Sequence, residues 1–95
     1  MPETNLPVFS IITPTCRRPL LLRRNIQSIT CQSFSDYEHI IVDDANDRDT
    51  EGLINEIGDK RIILKQHTSS RGAAGGYNTG IKTSRGKFIL FLDDD

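Results

Sequence analysis

Apolar residues fall into four short runs, and between the runs they recur every three or four positions. Val8 to Thr13, His39 to Val42, Ile62 to Leu64 and Phe88 to Leu92 are rich in β-branched and aromatic side chains, which suits strands. Leu22, Ile26 and Ile29 repeat at helical spacing and predict an amphipathic helix from Leu20 to about Cys31, with Arg23, Arg24 and Gln27 outside. Leu53, Ile54 and Ile57 mark one side of a shorter helix, capped by Asp49 or Thr50 and stopped by Gly58. A third, glycine-rich helix is predicted from Ala73 to Ser84, with Ala74, Tyr77, Asn78 and Ile81 on one face. Its glycines at 75, 76 and 80 each cost about 1 kcal/mol against alanine, which implies that something approaches this helix closely. Pro14 and Pro19 bracket Thr15-Cys16-Arg17-Arg18 as a loop that ends the first strand.

Alternating strands and helices predict βαβ units: an α/β fold of three layers, with a mostly parallel sheet in the order 3-2-1-4 and helices on both faces. Such sheets bind ligands beyond the strand C-termini, where the order reverses, here between strands one and four. Pro14-Thr15-Cys16-Arg17 and Asp93-Asp94-Asp95 lie at that point, and Asp43-Asp44 emerges one strand away. The unbroken run from Phe88 to Leu92 reads as a strand covered on both faces. Its three terminal carboxylates repel one another, a cost that a divalent cation among them would offset. Taken alone, the triplet reads more plainly as a solvated acidic end. The convergence of three polar motifs on one crevice favours a site.

Composition narrows the class. The chain has 95 residues, 36% hydrophobic and 26% charged, which fits one ordinary domain over residues 8–95 behind a disordered N-terminus at 1–7. A net charge of −1 argues against nucleic-acid binding through phosphate neutralisation. Cys16 and Cys31 are too few for a disulfide framework and too far apart in sequence for a metal pair, so both are expected as free thiols. No apolar stretch reaches membrane-spanning length, and a cytoplasmic location is expected, with docking on a membrane surface left open.

Four motifs in order carry a family resemblance: Ser10-Ile11-Ile12-Thr13-Pro14-Thr15-Cys16-Arg17-Arg18-Pro19, Ile41-Val42-Asp43-Asp44, Ser70-Arg71-Gly72 through Gly80-Ile81, and Arg85-Gly86-Lys87-Phe88 through Asp95. Together they resemble the N-terminal, nucleotide-sugar-binding half of a family 2 glycosyltransferase of the GT-A fold. The resemblance implies that the backbone at Pro14 and Thr15, with Cys16 and Arg17, wraps the base and ribose. It gives Asp43 and Asp44 to the nucleotide, with Asp44 on the base, and brings Arg71, Gly72 and Asn78 near the diphosphate. Asp93-Asp94-Asp95 fits the DxD motif: Asp93 or Asp94 reaches the ribose, Asp93 also helps hold the metal, and Asp95 binds Mn²⁺ or Mg²⁺ directly. The implied donor is a nucleoside-diphosphate sugar, expected to be a UDP-sugar, used in polysaccharide or glycoconjugate synthesis with an acceptor that is unknown.

The departures from the family pattern are Cys16 and Arg17, where an aromatic residue and asparagine are common, and Tyr77, where arginine is common. The catalytic base of an inverting transferase is expected in a C-terminal half beyond Asp95, so the 95 residues read as a truncated chain or gene fragment that is inactive alone. Its exposed sheet edge is expected to favour self-association. A second reading stays open: Ile40-Ile41-Val42-Asp43-Asp44 also resembles the acidic pair of a response-regulator receiver domain, although a strand and helix precede it here. A third is a nucleotide-binding module without turnover. His39 reads as a structural histidine, His67 as a solvated loop side chain, Cys31 as packing, and Glu51, Glu56, Lys60, Arg61 and Lys65 as surface charge.

Overall fold

The computed structural model describes residues 6–94; residues 1–5 and Asp95 are outside the described range. Strand β1 (Phe9–Thr15) is followed by α1 (Pro19–Thr30), β2 (Tyr37–Asp43), α2 (Arg48–Ile57), β3 (Ile62–Gln66), α3 (Gly72–Thr83) and β4 (Phe88–Phe91). The strands form one sheet in the order β3-β2-β1-β4, and every pairing is parallel, as the alternation predicts. Pro7, assigned to the disordered N-terminus by sequence, is buried, and the Val8 amide bonds to the Asp36 carbonyl.

Alternation along β1 and β2 divides the core between two faces. Ile11 and Ile41 look toward α1 and α2, packing with Leu22, Ile26, Ile29 and Leu53, while Ile12, Ile40 and Val42 look toward α3 with Ile63 and Tyr77. Every residue of β2 is buried, as a central parallel strand requires.

Several expectations need correction. Pro14 does not end β1, which continues to Thr15 in register with Val42 and Asp43. The Ile12 carbonyl accepts from Leu92 on the β4 side and the Thr15 carbonyl from Asp44 on the β2 side, so alternation turns the Pro14 nitrogen toward β4. There the ladder has already stopped, and its missing N–H costs nothing. The cap of α2 is Asp47, whose side chain accepts from the Asp49 amide at 3.4 Å and the Thr50 hydroxyl at 3.2 Å, rather than Asp49 or Thr50. Strand β4 is not covered on both faces: Phe88 to Leu92 are 39–58% exposed at the edge of the sheet. Cys31 is also exposed rather than packed, and Arg61 lies over the Tyr37 ring at 4.4 Å.

The close approach implied by the glycines of α3 comes from the sheet. Gly76 and Gly80 are the buried residues of that helix, whereas Ala74, Asn78 and Ile81 are exposed, so the inner face differs from the one the apolar pattern marks. A Cβ at Gly76 would sit 3.0 Å from Pro14 Cβ, and one at Gly80 would run into the Ile12 side chain. Gly80→Ala is therefore expected to destabilise the fold by about 1–3 kcal/mol through overpacking, despite alanine's better helix propensity. Gly52 in α2 meets nothing within 4 Å, and Gly52→Ala should instead stabilise by about 0.5–1 kcal/mol. Urea unfolding of the two variants reads the opposite signs.

Candidate functional site

At the switch point between β1 and β4, a cavity of about 400 Å³ opens beyond the strand C-termini. Pro14, Thr15, Cys16 and Arg18 line it from the end of β1, Asp93 and Asp94 from β4, Asp44 from β2, and Gly72, Ala73 and Tyr77 from α3. Of the residues predicted from sequence, Pro14, Thr15, Cys16, Asp44, Gly72, Asp93 and Asp94 meet here. Arg17, Asp43, Arg71 and Asn78 do not line the cavity, and Asp95 lies outside the described residues.

The two members of the first acidic pair do different work. Asp43 is fully buried; its Oδ1 accepts from the Ala45 amide at 2.9 Å, and its Oδ2 from the Asp47 amide at 2.7 Å and Gln66 Nε2 at 3.0 Å. With both oxygens committed to the turn after β2, it shapes the crevice without reaching it. Asp44 turns into the cavity, where His67 Nδ1 at 2.8 Å and the Arg71 amide at 2.7 Å donate to its Oδ1. Its Oδ2 accepts from the Ser70 hydroxyl at 2.7 Å and the Gly72 amide at 3.0 Å. His67 first, then the Arg71 amide and the Ser70 hydroxyl, hold the Asp44 carboxyl well below the usual carboxylate range. The left-handed φ of 73° at Gly72 turns the chain so that successive amides face one carboxylate at the start of α3.

The second acidic cluster is also divided. Asp94 is 6% exposed, accepting from the Thr15 hydroxyl at 2.8 Å and from Arg18 at 3.3 Å, so it ties β4 to the end of β1. Asp93 is exposed, its carboxylate bonded to the Tyr77 hydroxyl at 2.7 Å and its carbonyl to Asn25 Nδ2 at 2.9 Å. The hydrogen bond to Asp93 pushes the Tyr77 phenol up. Where the family pattern commonly has a cation, this chain thus places a hydroxyl on a carboxylate of the acidic motif. Arg17 is exposed with a left-handed φ of 55°, and Asn78 is exposed on the outer side of α3.

His67, expected as a solvated loop residue, is buried at 6% exposure; its Nε2 meets the Thr79 hydroxyl at 2.7 Å while Nδ1 holds Asp44. A signal was available, since His67 directly follows β3 and so stands at the same C-terminal edge of the sheet as the other motifs. His39 is a buried structural residue, as expected, with Nε2 on the Thr13 hydroxyl at 2.9 Å.

Comparison with known proteins places this geometry. The family model for glycosyl transferase family 2 matches residues 10–95. The chain is 38% identical over 94 residues to the GalNAc(5)-diNAcBac-PP-undecaprenol beta-1,3-glucosyltransferase of Campylobacter jejuni, covering 95% of this chain and 30% of that protein. It is 35% identical over 88 residues to the Escherichia coli UDP-Glc:alpha-D-GlcNAc-diphosphoundecaprenol beta-1,3-glucosyltransferase WfgD, covering 93% of this chain and 35% of that protein. The chain thus spans about a third of these relatives. In fold it is similar to the mannosyltransferase PcManGT of Pyrobaculum calidifontis in complex with GDP-Man and Mn²⁺, at TM-score 0.83 and 23% identity over 98% of this chain and 29% of that one. It is similar also to S. aureus TarS 1-349 in complex with UDP, at TM-score 0.80 and 25% identity over 92% of this chain and 27% of that one. The receiver-domain reading falls with the family match and with the sheet order, which is not the 2-1-3-4-5 of flavodoxin-like folds. A GT-A fold with its acidic motifs at the switch point, matched by the family model over nearly its whole length, makes this chain a member of glycosyltransferase family 2.

Proposed function

We propose that these 95 residues bind the nucleoside diphosphate of a sugar donor, with the base against Asp44 and the pyrophosphate beside Asp93 and the start of α3. The observation that carries this reading is the cavity at the β1/β4 switch point, into which Asp44, Asp93 and the N-terminus of α3 all face. UDP-sugar is the proposed donor, since WfgD is named for UDP-Glc and TarS is described with UDP. The named acceptors of the two glucosyltransferases are undecaprenol-linked, which supports work at a membrane surface; among the described residues no helix is long and apolar enough to cross one.

A divalent cation fits the donor set in kind. Asp93 is an exposed carboxylate at the cavity, and hard oxygen ligands suit Mn²⁺ or Mg²⁺. Among the described residues no group of three metal-ligating side chains is assembled, so Asp93 would need Asp95 and phosphate oxygens to complete a site. Bound there, the cation would neutralise the pyrophosphate and stabilise the departing nucleoside diphosphate in transfer. The chain's own contribution is to place the cation's ligand: Asp94, tied to Thr15 and Arg18, fixes the strand end from which Asp93 projects. Donor binding is the role proposed for these residues. Inverting transfer is proposed to draw its base from outside them. The exposed edge and faces of β4 support self-association of this chain in isolation.

A thermal melt against UDP, GDP and other nucleoside diphosphates, with and without Mn²⁺, tests the reading. A ligand that binds only the folded state adds about 2.7 kcal/mol at 100 times its Kd. One nucleotide is expected to shift the melt in the presence of metal, and a folded chain that responds to none would overturn the assignment.

A further inference from the structure

The base-binding carboxylate has no acceptor capacity to spare. An ionised carboxylate offers about four lone-pair sites, and Asp44 fills them with His67 Nδ1, the Ser70 hydroxyl and the Arg71 and Gly72 amides. A nucleobase N–H can therefore reach Asp44 only by displacing one of these donors. Two are backbone groups at the start of α3, fixed by the helix. His67 is buried and gripped from its far side by Thr79, and because a carboxylate held ionised can only accept, His67 is the donor through Nδ1. Ser70 is different. It is exposed, and rotation about one bond moves its hydroxyl away.

We infer that His67 is a positioning residue that locks Asp44 Oδ1, and that Ser70 is the exchangeable donor whose place on Oδ2 is taken by an imide N–H of the donor's base. This rests on the proposed nucleotide site and adds to it how the base is read. The lock extends into the fold, because Thr79 belongs to α3 and its neighbour Gly80 seats that helix on Ile12. His67 thus couples the carboxylate to a rigid element without touching the ligand.

The test is isothermal titration of this chain with UDP and with N3-methyl-UDP, which lacks the imide proton, both with Mn²⁺. His67→Ala is expected to weaken UDP about tenfold and to leave N3-methyl-UDP nearly unchanged. His67→Asn, whose amide can donate near the Nδ1 position, should recover most of the loss. Ser70→Ala should bind UDP as tightly as the parent or more tightly, because Oδ2 then needs no exchange. Equal weakening of both ligands in His67→Ala, or a loss of UDP affinity of about tenfold in Ser70→Ala, would overturn the inference while leaving the nucleotide site intact. Failure of the parent chain to bind UDP would overturn the site itself and this inference with it. Should His67→Ala melt below the assay temperature, Thr79→Val carries the test: it releases Nε2 alone, and the same imide-dependent loss of about threefold is expected.

Discussion

Lowering the pH from 6.5 to 4 is expected to cost this fold about 3 kcal/mol through one side chain, His39. The imidazole is 1% exposed in the layer between the sheet and α1 and α2, with Nε2 on Thr13 and Nδ1 buried without a partner among the described residues. Burial lowers its pKa from 6.5 to about 4, opposed by the nearby Asp59 carboxylate. The neutral ring is the form the fold accepts, so above pH 6.5 the group costs nothing. As the pH falls toward 4 the unfolded chain binds a proton that the folded chain refuses, and stability drops across that window. Asp44 and Asp59, both held below the usual carboxylate range, lose their contributions only at lower pH, so the His39 window stands apart from theirs. With a typical domain stability of about 5–15 kcal/mol, the loss is a large share of the total. Urea midpoints at about pH 7 and pH 4.5 should differ clearly for the parent chain and much less for His39→Gln, whose amide can still reach Thr13. Equal slopes for the two proteins would show that His39 is not the titrating group.

The architecture was legible because four apolar runs and three periodic stretches suit βαβ units, and doubly wound right-handed crossovers that reverse after the first strand give the 3-2-1-4 order. What the pattern misread has local causes. Pro14 suits a strand interior here because the neighbouring ladder stops before it, and ladder length is not written in the residues around a proline. The inner face of α3 is made of glycines, which carry no hydrophobic signal, so the apolar residues pointed to the wrong side. At the site, strand ends located Asp44, Asp93 and Asp94, but residue type could not say which carboxylates are free. Asp43 and Asp94 are spent on the scaffold, and only the hydrogen bonds from Ala45, Asp47, Gln66, Thr15 and Arg18 reveal it. His67 stands at the same edge after β3, but a lone histidine outside any motif carries by residue type no sign that it is buried against a carboxylate.

That division between structural and free carboxylates gives the second large effect. Asp93→Ala should weaken UDP binding in Mn²⁺ about 100-fold, near 2.7 kcal/mol, and abolish its dependence on metal. The reason is charge. Asp44, Asp93 and Asp94 border one cavity, and Arg18, the cation that lines it, is already paired with Asp94. A pyrophosphate brought among these groups is repelled unless a cation is held there, and Asp93 is the exposed member of the described pair at the end of β4. The fold should barely notice its loss: the bond from Asn25 goes to the Asp93 carbonyl and survives in alanine, leaving one exposed contact with Tyr77 to lose, about 1 kcal/mol at most. Asp94→Ala should show the reverse balance. It strips the partners of the Thr15 hydroxyl and Arg18 from a position only 6% exposed, and is expected to destabilise by about 1.5–3 kcal/mol. Melting both variants with and without UDP and Mn²⁺ separates the two roles. If Asp93→Ala kept the metal-dependent shift of the parent chain, the cation would have to be held without Asp93, and the exposed carboxylate would lose its place in the site.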